Sequence, residues 1–210
     1  MTPYTIEACV ETTAEAVAAQ KEGAHQIELC SQLDLDGLTP DITMTQKILH
    51  QLSIPVKVMI RPRSGNFIYD KAEVDQMYHA ISEFKKLPIF GVVIGALTKE
   101  NRLNVPLIKS LVRAAVPLNV TIHKAIDTSS HPLTDLKLLK KIPGVNSLLS
   151  SGGAPTALEG KNLLKAMIEE ASGEITIIAA GKITLTNLPQ IHQEVGAKAY
   201  HGRQIVGQLF

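Results

Sequence analysis

Several things are scarce in this sequence, and each scarcity excludes something. Tryptophan is absent, yet apolar residues at 45% and charged residues at 20% keep the chain within ordinary globular composition. Cysteine occurs twice, as Cys9 and Cys30. Two cysteines in a chain of this size are not a disulfide scaffold, and the simplest location is the reducing cytoplasm. Neither sign of charge dominates: 21 Lys and Arg against 20 Asp and Glu leave a formal charge of +1. That balance gives no basic surface for nucleic acid or for an anionic membrane. No apolar run approaches the roughly 20 residues of a membrane-spanning helix. The opening Met-Thr-Pro-Tyr-Thr-Ile-Glu has no basic region and no long apolar stretch, so no signal peptide is expected there. Linkers and low-complexity segments are missing too. A single domain over residues 1–210 is the expectation.

What is present is a rhythm. Tyr4–Val10 reads as a strand, and Thr12 or Thr13 caps a helix that runs to Glu22 and stops at Gly23. His25–Cys30 is a second strand, followed by a helix from Pro40 to about Leu52. Pro55–Arg61 is a third strand with a helix over Lys71–Lys86, and Phe90–Gly95 a fourth with a helix over Val105–Ala115. Leu118–His123, Val145–Ser150 and Ile175–Ala180 continue the series, with helices over Leu133–Lys140, Thr156–Ala171 and Leu185–Glu194. Ala197–His201 is the eighth strand. Alternation at this spacing means a parallel sheet, and eight units point to a short TIM (β/α)8 barrel. A doubly wound open sheet is the runner-up, but no glycine-rich dinucleotide fingerprint follows the first strand. Only nine residues follow His201, so the last helix is incomplete.

Barrel geometry assigns faces to side chains, because successive residues of a strand point to opposite sides. In the third strand Val56, Val58 and Ile60 face the helices, which turns Lys57, Met59 and Arg61 inward. The same parity puts Glu7 and Cys9, Glu28 and Cys30, and Thr121 and His123 inside. Barrel cores are mostly branched and apolar. Buried ionisable groups must be paired or they are costly. Glu7 and Lys57 lie deep and read as a self-satisfied ionic layer. Glu28, Arg61 and His123 lie near the strand C-termini, where barrel enzymes keep their sites.

The loops at that end add candidates. Arg61 and Arg63, beside Ser64-Gly65-Asn66, suit a bound anion as well as they suit an exposed loop. After the fifth strand comes His123-Lys124-Ala125-Ile126-Asp127, where parity turns Lys124 outward. Ser151-Gly152-Gly153 follows the sixth strand and Gly181-Lys182 the seventh. Such glycines let backbone N–H groups approach an anion, or merely make tight turns. His201 ends the eighth strand. Cys9 and Cys30 end neighbouring strands on one inward face, which allows a two-coordinate site for a soft ion such as Cu(I). No Cys-x-x-Cys, Met-rich run or His cluster accompanies them, and lone buried cysteines often serve only as small core residues.

Met-Ile-Arg-Pro-Arg-Ser-Gly-Asn-Phe-Ile-Tyr, from Met59 to Tyr69, resembles the signature of the CutC family, which usually has a second glycine at the place of Ser64. His123-Lys124-Ala125-Ile126-Asp127 is similar to that family's His-Arg-Ala-Phe-Asp, and Ser150-Ser151-Gly152-Gly153 to its Thr-Ser-Gly-Gly. Ile27-Glu28-Leu29-Cys30, Gly37-Leu38-Thr39-Pro40, Phe90–Gly95 and His201-Gly202 extend the resemblance over nearly the whole chain. Lys182 departs from it, standing where the family typically has glycine. The resemblance implies a TIM barrel and a link to copper handling, with Cys9 and Cys30 matching the cysteines associated with copper.

Two functions of different classes follow. One is a cytosolic copper-homeostasis protein that binds Cu(I) through Cys9 and Cys30. The other is a barrel enzyme on a small anionic or phosphorylated metabolite. There Arg61 and Arg63 clamp the anion, with Ser151, Gly152, Gly153, Gly181, Lys182 and His201 as further contacts. Glu28 or His123 moves a proton and Asp127 assists. The short C-terminus adds an expectation of a homodimer. Its interface would form along the seam between the first and last strands, where Ala8, Val10 and Ala199 would be left uncovered beside Ile205, Val206, Leu209 and Phe210.

Overall fold

The first four helices each begin where a side chain accepts from a free backbone N–H of the first turn. The computed structural model describes residues 3–209. After β1 (Thr5–Val10), Thr12 and Glu15 form a reciprocal capping box that starts α1 (Thr13–Lys21). β2 (Gln26–Leu29) leads to α2 (Ile42–Leu49), whose cap is Asp41. β3 (Val56–Met59) leads to α3 (Lys71–Phe84), opened by an Asp70–Glu73 capping box. β4 (Gly91–Ile94) precedes α4 (Val105–Ala115), and β5 (Asn119–Ile122) precedes α5 (Pro132–Leu139). β6 (Val145–Ser150), α6 (Lys161–Ala171), β7 (Thr176–Ala179), α7 (Leu188–Val195) and β8 (Ala199–Gly202) complete the chain. The strands pair in parallel in sequence order, and β8 pairs with β1 to close the barrel. The fold is a TIM barrel.

Two of the boundaries that differ from the sequence pattern, and one shift of register, have local reasons. The third strand ends at Met59, not Arg61, because the Arg61 backbone is diverted to Thr39: Arg61 N–H donates to Thr39 Oγ1 at 2.8 Å, and Arg61 O accepts from Thr39 N–H. α6 starts at Lys161 and not at Thr156, because Glu159 Oε2 accepts from both the N–H and the hydroxyl of Thr156 and ties off a separate turn. β6 carries a register shift opposite Val120/Thr121, where Asn146 Oδ1 accepts from Val120 N–H.

Alternation sorts the strand residues as expected. Val56, Val58, Ile60, Val92, Ile94, Val120 and Ile122 join one large apolar layer between sheet and helices. Inside the barrel two smaller apolar clusters face each other's strands: Cys9, Cys30, Met59 and Val93, and Leu149, Ile178, Ala180 and Ala199. The deep ionic layer is real and self-satisfied. Lys57 Nζ lies 2.9 Å from Glu7 Oε2, which also accepts from Gln26 Nε2 at 2.7 Å.

The expected apolar seam is corrected. Ala199 points into the barrel, and Tyr200 is the outward residue of β8. Ala8 and Val10 have no exposed surface. Among the described residues, those after Gly202 form no helix, but they fold back: Leu185 N–H donates to Gln204 O at 3.0 Å, and Ile205 and Val206 are buried in the apolar layer. The tail therefore closes the seam within the chain, and the surface on which the dimer expectation rested is covered. Phe210 lies outside the described residues.

Candidate metal centre

A cavity of about 820 Å³ opens at the C-terminal end of the barrel, lined among others by Cys9, Glu28, Cys30, Met59, Arg61, His123, Asp127 and His201. Cys9 at the end of β1 and Cys30 just after β2 come together there, with their Sγ atoms 4.0 Å apart. Both thiols are free and buried. Glu28 Oε1 lies 3.8 Å from Cys9 Sγ and 3.6 Å from Cys30 Sγ, and Oε2 has no partner. His201 bridges the two layers: Nδ1 is 2.9 Å from Glu7 Oε1, and Nε2 is 4.0 Å from Glu28 Oε1.

These groups set one another's charge. Burial pushes the Glu7 carboxyl up, but Lys57 and then His201 outweigh it and hold the group at about 2. Burial raises Glu28 to about 8 against the pull of His201. For His201 burial disfavours the imidazolium, yet Glu28, Cys9 and Glu7 together lift it well above the ordinary range. The hydrogen bond from Cys30 lowers Cys9 to about 6 against burial, with His201 adding to the effect. Cys30, as the partner in that hydrogen bond and buried, is raised well above the ordinary thiol value. The two thiols and the two carboxyls are therefore driven in opposite directions by the neighbours they share.

The expected anion site is placed differently. Arg61 reaches the cavity wall, but its guanidinium is largely spent on the chain. Nη1 donates to the carbonyls of Leu35, Asp36 and Gly37, and Nη2 to Gly65. Arg61 thus fastens the loops after β2 and β3, with its cation 4.9 Å from the centre of the Phe67 ring. Arg63 is not brought to the cavity. It pairs with Glu73 and donates to the carbonyls of Ser64, Asn66 and Ile68. Two arginines therefore do not form one clamp.

The loop Ser151-Gly152-Gly153 does cradle an anion, but the anion is Asp127. Ser151 N–H and Oγ–H each donate to Asp127 Oδ2 at 2.9 Å, Gly153 N–H donates to Oδ1 at 3.1 Å, and the Ser150 hydroxyl also donates to Oδ1. Asp127 and Gly181 line the cavity, whereas Ser151, Gly152 and Gly153 stand behind Asp127. Lys182 lines the rim with an exposed side chain and a left-handed backbone, φ +53°. Lys124 lines the rim too, contrary to the parity expectation, because β5 ends at Ile122 and a 3₁₀ turn over Lys124–Thr128 resets the alternation.

His123 is neutral. Burial first, and Arg61 second, hold it at about 3. Its Nδ1 accepts from Ala125 N–H at 3.1 Å, so Nε2 carries the proton and has no partner. Gly95 makes room for the ring: a Cβ there would lie 2.4 Å from His123 Cε1.

Met59 and Phe67 were the residues least visible from sequence. Parity turned Met59 inward, but only the packing puts it against both cysteines. Phe67 packs between Arg61 and His123, its ring 4.8 Å from the imidazole, and the loop pattern carried no signal for that.

Against known proteins, a family model described as "CutC family" matches residues 4–206. A "Copper homeostasis protein cutC homolog" of Homo sapiens is 39% identical over 198 residues, which cover 94% of this chain and 72% of that protein. A "family protein CutC" of Xanthomonas campestris pv. campestris is 35% identical over 196 residues, covering 93% of this chain and 81% of that one. Among solved structures, CutC from Streptococcus agalactiae superposes with a TM-score of 0.90 at 31% identity, covering 96% of this chain and 99% of that one.

Proposed function

Since the chain belongs to the CutC family, we propose that it serves copper homeostasis by binding one Cu(I) ion between Cys9 and Cys30. The observation that carries this reading is the pair of sulfurs 4.0 Å apart on one cavity wall. Two metal–thiolate bonds of about 2.3 Å span at most about 4.6 Å, so the pair can share an ion without moving a strand. Soft sulfur donors suit Cu(I), and the Met59 thioether packs in the same cluster. Structural zinc asks for four ligands, whereas Cys9, Cys30 and Glu28 bring three ligand atoms within 4.8 Å of one another. Free thiols this close stay reduced in the cytoplasm, where this reading places the protein. Among the described residues no helix is long and apolar enough to cross a membrane.

The enzyme reading loses support from the same geometry. Arg63 stands away from the cavity, the glycine loop after β6 is occupied by Asp127, and His123 is held too acidic to exchange protons near neutrality. The decisive measurement is a titration of the reduced protein with Cu(I) against a chromophoric chelator. About one equivalent should bind, and Cys9→Ser with Cys30→Ser should abolish uptake. Unchanged stoichiometry and affinity in the double variant would remove the cysteine assignment.

A further inference from the structure

A bare ion does not need the space above the thiols. A cavity of about 820 Å³ falls within the range of about 300–1,000 Å³ that small-molecule sites occupy. Its walls are also charged unevenly. The rim carries Lys182, Lys124 at 4.0 Å from Asp127 and Arg203 at 3.6 Å from Glu15, and the inner wall carries Arg61 and His201. The acidic side chains on the same lining are Glu28, Asp36 and Asp127, and Asp127 is already satisfied by Ser150, Ser151 and Gly153. Lys182 reaches the rim from a left-handed backbone that a lysine adopts only at a cost. His123 adds a buried Nε2–H without a partner, on a residue of the same wall. An orphaned donor of this kind is expensive unless a ligand or water satisfies it.

We propose that the cavity receives copper as a complex with a small thiol bearing more than one carboxylate, whose carboxylates are held by Lys124, Lys182 and Arg203 while the copper passes to Cys9 and Cys30. This inference rests on the copper reading and names the form in which the ion arrives. The transfer is a ligand exchange with no change of oxidation state. A bis-thiolate complex, whose copper–sulfur core carries one negative charge and whose carboxylates add more, meets Cys9 and Cys30. Two carrier–copper bonds break and two cysteine–copper bonds form. Each proton that a cysteine releases leaves on a departing carrier sulfur, so charge and protons balance. The rim cations draw the anionic complex in, and the field of the mouth raises its local concentration. The surplus positive charge does the opposite for a cationic copper complex.

The test uses the whole reduced protein and two Cu(I) sources, the glutathione complex and the cationic acetonitrile complex, in stopped flow at low ionic strength. The ratio of the transfer rate from glutathione to that from acetonitrile should fall about tenfold in Lys124→Gln/Lys182→Gln, and salt should lower it in the wild type. S-methylglutathione, which cannot bind copper as a thiolate, should slow transfer from the glutathione complex and raise the melting temperature of the copper-free wild type. If the ratio is the same in wild type and variant and S-methylglutathione neither competes nor stabilises, the carrier site is overturned. The cysteine site would then stand. Loss of the cysteine site would instead appear as no Cu(I) uptake from either source, while S-methylglutathione would still report on the cavity.

Discussion

Glu7 has no exposed surface, and it stays ionised because the groups in direct contact with it favour that charge. Gln26, Lys57 and His201 contact it directly, and Glu28 is the one opposing carboxyl nearby. Its pKa falls from the ordinary 4.5 to about 2. A carboxyl depressed in the folded state contributes stability that is fully present above its unfolded value. That contribution is lost as pH falls from about 4.5 toward about 2, on the order of 3 kcal/mol. Melting temperature measured from pH 6 to pH 3 should therefore drop steeply in the wild type and less steeply in Glu7→Gln. At neutral pH that variant should be less stable by about 3–5 kcal/mol, because Lys57 is left as a buried charge without its partner. Parallel curves for the two proteins would show that Glu7 is not the group that titrates. Cys9 and Cys30 follow the same logic at the other end of the cluster: neighbours of one residue type titrate apart, because one donates to the other.

At the scale of elements, the loop between β6 and α6 is built around two glycines with different obligations. Gly152 and Gly153 both have left-handed backbones, φ +71° and +69°. A Cβ on Gly152 would lie 2.2 Å from Gly160 O, whereas the nearest atom to a Cβ on Gly153 would be 3.6 Å away. Gly153→Ala should cost only the backbone penalty, about 1–2 kcal/mol. Gly152→Ala should cost that plus about 1–3 kcal/mol of overpacking, since backbone cannot step aside as a side chain can. Urea unfolding midpoints separate the two, and equal midpoints would mean that the loop is looser than its contacts indicate. Gly152→Ala should also loosen the grip on Asp127, whose donors lie on either side of it.

For the whole molecule, closure of the barrel falls to the chain after β8 as well as to the β8–β1 pairing. Ile205 has no exposed surface and packs in the outer apolar layer with Tyr200 and Ile183. Ile205→Ala should destabilise by about 2–5 kcal/mol. Because the contact is made within one chain, sedimentation velocity at micromolar concentration should give the same species for variant and wild type. A change in the sedimenting species would show that the tail also serves an interface between copies.

The order of strands and helices, the parallel barrel and the inward set Glu7, Cys9, Glu28, Cys30, Lys57, Arg61 and His123 were all determined by the sequence alone. Hydrophobic period is a local property, and a period of two fixes the face of every residue once one face is buried. Only the tertiary structure decided which polar groups satisfy one another. Donors and acceptors far apart in the chain compete for the same lone pairs, and that competition has no local pattern. It gave Arg63 to Glu73, Asp127 to the Ser-Ser-Gly-Gly loop, and most of Arg61 to the carbonyls of two loops. It left Cys9 and Cys30 facing each other at 4.0 Å, because the register of β1 on β2 sets that distance and neither residue does so by itself.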